Sequence, residues 1–173
     1  MDYFRVQIIN HWFNRIKKNL TGPIPGFNLE LFHSDNLIFI SIAFDAYLSG
    51  EFQKGLIKNC IIEMFSDDKY KNLFNELKIN NADFKSQLTK LKKELDKEPL
   101  IDMSSGSTRE PSKMDNYDDL VNLFYNIIYR VRSNLIHGGK TMTLPRNQLL
   151  VESSYKILYY FLEKIIITEN IQV

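Results

Sequence analysis

The sequence is poor in the residues that interrupt or staple a chain. Its 173 residues hold one cysteine, five prolines and seven glycines. A lone Cys60 excludes an intrachain disulfide and fits a reducing, cytoplasmic setting. Its neighbours in "LIKNCIIEMF" are apolar at helical spacing, so the thiol is expected in a core and not as a nucleophile. Few prolines and glycines leave little to break long regular elements. Charge of one sign is lacking as well. The 22 Lys and Arg against 21 Asp and Glu leave a net charge of +1, so any anion binding must come from local clustering and not from a global basic field. Long hydrophobic runs are also missing. The longest, "LIFISIAF" over 37–44, ends at Asp45 far short of the roughly 20 residues that span a bilayer. The opening "MDYFRVQIINHW" begins acidic and carries His11 within its apolar run, unlike a secretory signal. At this length one domain over 1–173 is expected, with no membrane segment.

What the sequence does have is helical periodicity. Residues 3–20 place Phe4, Ile8, Trp12, Ile16 and Leu20 on one stripe, with Arg15, Lys17 and Lys18 near the C-terminal end where cations suit the helix dipole. "TGPIPG" breaks the chain. A second helix is expected from Ser34 or Asn36 to Leu48, apolar almost all round and therefore central. "SGEF" reads as a turn before a third helix, "FQKGLIKNCIIEMF". A fourth follows from "SDDKYKNLFNELK" with Ser66 as N-cap. "ADFKSQLTKLKKELDKE" reads as a charged, solvent-facing helix whose thin apolar stripe is Phe84, Leu88, Leu91 and Leu95. Periodicity then disappears over 99–116, a polar stretch of a length that in compact domains is usually functional or disordered. This loop is expected to be mobile. "YDDLVNLFYNIIYRVRSNLIH" resumes a strong helix, with Leu120, Leu123, Phe124, Ile127, Ile128, Val131 and Leu135 as its apolar face, and a last helix runs from about Arg146 to Thr168. No strand survives comparison with a helical reading. The expected fold is an all-α bundle of six or seven helices.

Most kinds of site can be set aside. His11, His33 and His137 lie in separate segments, and no spacing of His, Cys, Asp and Glu matches a zinc site, so neither metal nor other cofactor is expected. "SSGST" at 104–108 lacks the lysine of a phosphate-binding loop. His33 reads as a helix-start residue and His11 as a surface or core-edge one. What is left is "RVRSNLIHGGK", Arg130–Lys140. Gly138 stands where a left-handed residue ends a helix. His137 then occupies the last turn, where the dipole favours imidazolium, and Ser133, four residues earlier, shares its face. Arg132 lies five residues before His137, about 140° round an ideal helix. The two converge only if the helix end distorts or a second copy of the chain completes the site. A guanidinium fork suits phosphate and a histidine trades protons near neutrality. With Asn134 and Lys140 they make either a phosphodiester site or a cation-rich helix end with a structural histidine.

"RVRSNLIHGGK" resembles the motif of HEPN-domain proteins (higher eukaryotes and prokaryotes nucleotide-binding), an arginine followed after four to six residues by a histidine. "IIYRVRSNLIHGGK" is similar to the ApeA-like branch of that family, typically Tyr-x-Val/Ile-Arg-Asn-Asn-Leu-Phe-His-Gly-Gly-Lys. "FISIAFDAYLSG" resembles that branch's early central helix, "PLIDM" its insert before the motif, and "RNQLLVESSYKILYYFLEKI" its closing helix. The resemblance implies an all-α homodimer with the two motif helices facing each other, and in many members metal-independent RNA cleavage. Carried over, Arg132 would bind the scissile phosphate and His137 would serve as general base or acid. Asn134 would position the phosphate or the histidine, supported by Ser133. Arg130 and Lys140 would add phosphate contacts, and Asp45 would orient Arg132 from within the bundle. Family analogy implies antiviral defence or a toxin–antitoxin role, with an antitoxin or defence protein as partner. The alternative is a non-catalytic HEPN module that binds RNA or nucleotides, or acts in assembly. Two departures stand out. Ser133 replaces the branch's usual asparagine, and Gly139 stands where toxins silenced by nucleotide transfer carry a tyrosine.

Overall fold

A computed structural model describes residues 3–20, 29–101, 112–115, 118–136 and 144–171. Among the described residues it is an all-α bundle of seven helices: α1 (Tyr3–Leu20), α2 (Leu29–Glu51), α3 (Ile57–Ser66), α4 (Asp68–Asn80), α5 (Ala82–Lys97), α6 (Tyr129–Ile136) and α7 (Pro145–Thr168). A π-helical segment, Asn122–Ile128, leads directly into α6. Among the described residues there is no strand, only an isolated antiparallel bridge between Leu100 and Ser112, and no helix is long and apolar enough to cross a membrane.

The central position expected for α2 holds. It packs on α1 and α7, and also touches α3 and α6. The helix starts earlier and ends later than its periodicity indicates, because residues without an apolar stripe still propagate a helix that tertiary contacts have nucleated. Ser49, Gly50 and Glu51 are thus helical, and the turn falls at 52–56. Gly55 there has φ +74° with open space around it, so backbone conformation and not crowding calls for glycine. Helix α4 is capped by Asp67, whose side chain accepts from the Lys69 N–H at 2.8 Å. Ser66, the expected cap, ends α3 and donates to the Glu63 carbonyl instead.

The stripe expected on α1 is displaced. Ile9, Phe13 and Ile16 are buried, whereas Phe4 is 68% exposed and Ile8 and Trp12 are half-buried. Steps of four residues drift about 40° each on a helix of 3.6 residues per turn, so a run from Phe4 to Leu20 winds off one face. Trp12 stacks on Phe39 of α2 at 4.6 Å. On α5 the thin stripe is as read: Phe84, Leu88, Leu91 and Leu95 are all buried, against α7 and α4.

An aromatic cluster joins the elements at the centre. Phe124 of the π segment lies 5.0 Å from both Phe65 of α3 and Phe161 of α7, and 5.8 Å from Phe44 of α2. Phe74 of α4 bridges Phe161 to Phe84 of α5. The motif helix is therefore anchored in the core about one and a half turns before Arg130, where the motif begins. Cys60 is buried as expected.

Candidate functional site

The helix carrying the motif begins with Asp119, whose carboxylate accepts from the Asn122 N–H at 2.9 Å as an N-cap side chain does. In the π segment the Tyr129 N–H reaches the Phe124 carbonyl, five residues back. Such widened turns change the angular phase of the next helical residues, and they often occur at functional sites. Here the residues so rephased include Tyr129, Arg130, Arg132, Ser133 and Asn134.

Arg132 and Asp45 come together. Arg132 Nη2 lies 3.5 Å from Asp45 Oδ2, with about a quarter of each side chain exposed (26% and 25%). The separation exceeds the 2.7–2.9 Å typical of a charge-assisted hydrogen bond, so Asp45 holds the guanidinium by proximity and does not lock it. Its Nε is buried and finds no hydrogen-bond partner among the described residues. The arginine is thus held beside Asp45 with about a quarter of its side chain open to solvent.

The other carboxylate oxygen of Asp45 accepts from the hydroxyl of Tyr129. Tyr129 also lies beneath Arg132, whose guanidinium carbon is 5.7 Å from its ring centroid, as an (i, i+3) pair permits. Burial pushes the Asp45 carboxyl above its ordinary range, opposed by the Tyr129 hydrogen bond and the Arg132 charge. Burial and the Asp45 carboxylate push the Tyr129 phenol well upward, so the proton belongs to the tyrosine. Periodicity and composition do not single out Tyr129. The available signals are its place three residues before Arg132 and the tyrosine in the motif it resembles.

Two other residues of the motif bond to the stretch after α5. Asn134 is fully buried, and its amide nitrogen donates to the Ile101 carbonyl at 2.8 Å. The burial expected of Leu135 falls on Asn134 instead, and Leu135 is only half-buried. Arg130 donates to the Leu100 carbonyl at 3.3 Å. Ser133 is half-buried. His137 and Lys140 lie outside the described residues.

The contacts of Arg130 and Asn134 also tie down the described start of the 99–116 stretch. Leu100 and Ser112 exchange backbone hydrogen bonds of 3.0 and 2.8 Å, and Leu100 and Met114 are buried. Asn122 donates to the Lys113 carbonyl at 2.7 Å, and Arg146 of α7 donates to the Glu98 carbonyl. Both ends are stitched to the motif helix because buried carbonyls and amides must find partners. Residues 102–111 and 116–117 lie outside the described residues.

His33 is likewise not at a helix start but inside α2, half-buried and stacked on Tyr155 of α7 at 5.5 Å. His11 is exposed. Among the described residues no three metal-capable side chains converge. No protein-family profile matches the sequence, and neither a curated protein nor a solved structure matches it.

Proposed function

We propose that this chain is a HEPN-type, metal-independent endoribonuclease that acts as a homodimer in the cytoplasm, in antiviral defence or a toxin–antitoxin pair with an antitoxin or defence protein as partner. The observation that supports this reading is the Arg132–Asp45 pair, 3.5 Å apart across the bundle. The acidic residue of the early helix stands where an orienting group for the motif arginine is needed. In the reaction, His137 accepts the proton of a ribose 2′-hydroxyl while its oxygen bonds to the adjacent phosphorus. The bond from phosphorus to the 5′ oxygen breaks and that oxygen takes up a proton. Arg132 offsets the charge that develops on the phosphoryl oxygens. The products are a 2′,3′-cyclic phosphate (or its hydrolysed form) and a 5′-hydroxyl, and the substrate is RNA because DNA lacks the nucleophile.

The deciding experiment is cleavage of single-stranded RNA in EDTA by the wild type and by His137→Ala, with end-group analysis. Cyclic-phosphate ends made by the wild type and absent with the variant are expected. Equal cleavage by both would trace the activity to a contaminant and remove the support for His137.

A second reading, a non-catalytic HEPN module binding RNA or nucleotides or serving assembly, draws on Arg130 and Asn134, which hold the carbonyls of Leu100 and Ile101. Salt-sensitive RNA binding without cleavage, or a strict monomer unable to build a composite site, would favour it.

A further inference from the structure

We propose that Tyr129 is a positioning residue that sets the orientation of Arg132 through Asp45. The proposal rests on the nuclease reading for its functional meaning, but its geometry stands apart from it. The two oxygens of Asp45 are divided: Oδ1 accepts from the Tyr129 hydroxyl and Oδ2 faces Arg132 Nη2. A carboxylate held at one oxygen by a directional hydrogen bond loses the freedom to rotate. Its second oxygen is then aimed, and the guanidinium follows it. At 3.5 Å the Arg132 contact is too loose to fix the carboxylate by itself. The directional phenol hydrogen bond therefore aims the carboxylate, and the ion pair follows it. The ring adds a second constraint, since it lies 5.7 Å beneath the same guanidinium. One tyrosine thus bounds Arg132 both through the carboxylate and by direct contact with the ring face.

The hydroxyl has a second consequence. Asp45 is disfavoured as an anion by burial, and the two groups that oppose this are Tyr129 and Arg132. Cys60, on α3, adds a small upward push on the phenol. Without the phenolic donor, burial gains on the anion and the carboxyl takes up a proton at higher pH. A neutral Asp45 no longer attracts the guanidinium.

The test is Tyr129→Phe, which keeps the ring and removes the donor, compared with Asp45→Asn and with the double variant. Side-chain carbon NMR of Asp45 and nitrogen NMR of the Arg132 guanidinium are followed across pH. The expected result is an Asp45 titration moved to higher pH in Tyr129→Phe, with an Arg132 resonance displaced towards that of Asp45→Asn. For RNA cleavage, kcat should fall about tenfold with little change in KM, the order associated with one hydrogen bond to a charged group. The acid limb of the pH profile should move upward. Adding Tyr129→Phe to Asp45→Asn should cost nothing further, because the path through the carboxylate is already cut. An Asp45 titration and an Arg132 resonance unchanged in Tyr129→Phe would overturn the proposal, as would full additivity of the two substitutions. The NMR readings need no substrate. A wild-type protein that cleaves no RNA would therefore sink the nuclease reading while the Tyr129 proposal is still decided.

Discussion

Burial pushes the Asp45 carboxyl above the ordinary carboxylate range, while the Tyr129 hydroxyl and the Arg132 guanidinium pull it back. A carboxyl whose folded value is raised contributes stability in acid, below the unfolded value near 3.8, and that contribution is lost as pH rises through the folded value. At neutral pH the ionised Asp45 is therefore a cost to the fold. Asp45→Asn should melt higher than the wild type at pH 7, with the difference closing towards pH 4, yet orient Arg132 less well and cleave RNA more slowly. Melting curves at the two pH values check the first half; a variant less stable at pH 7 would contradict it. His33 carries the opposite sign. Burial lowers its imidazole, Lys156 pushes the same way and Glu152 resists. A histidine held neutral supports the fold above its ordinary value of 6.5 and withdraws that support as pH falls towards the lowered value. Between pH 7 and 5.5 the wild type should lose more melting temperature than His33→Phe. Equal slopes would assign the acid sensitivity to other groups.

Among the elements, the motif helix and the stretch after α5 depend on each other. Asn134 is the tie expected to matter most, being fully buried with its amide on the Ile101 carbonyl. Asn134→Ala leaves that carbonyl without its donor and should cost about 1–3 kcal/mol, read as a lower urea midpoint. Amide exchange at Leu100 and Ser112, whose backbones pair across the base of the loop, should accelerate in the same variant. Unchanged protection there would mean the bridge stands without Asn134. The bounds of α1 and the stripe of α5 were legible in sequence because a 3.6-residue period records which side of a helix is buried. The start of α2 was not, since it is apolar nearly all round and periodicity carries no boundary there. The burial of Asn134 was not legible either, because only the position of Ile101 shows that a polar residue there is satisfied.

On the scale of the whole molecule, stability centres on the phenylalanines that join α2, α3, α4, α5, α7 and the π segment. Phe161 touches Phe44, Phe65, Phe74 and Phe124. Phe161→Ala should cost about 3–5 kcal/mol by urea denaturation, the range for emptying an aromatic site in a packed core. A loss below about 1 kcal/mol would show that the core collapses around the gap. A second network closes the far end of the bundle, where Glu169 accepts from Tyr47 at 2.9 Å and from Tyr70 at 3.1 Å. By itself the sequence determined the helical class, most of the helix spans and the burial of Cys60, because period, caps and breakers act over a few residues. The pairing of Asp45 with Arg132 was an expectation carried by the family resemblance, since no local pattern links positions so far apart. The tertiary structure alone decided that Tyr129, 84 residues from Asp45, shares its carboxylate, that Asn134 faces inward, and that the ends of the loop are stitched to the motif helix. Those outcomes depend on where separate helices come to rest against a common core, and local periodicity does not encode that placement.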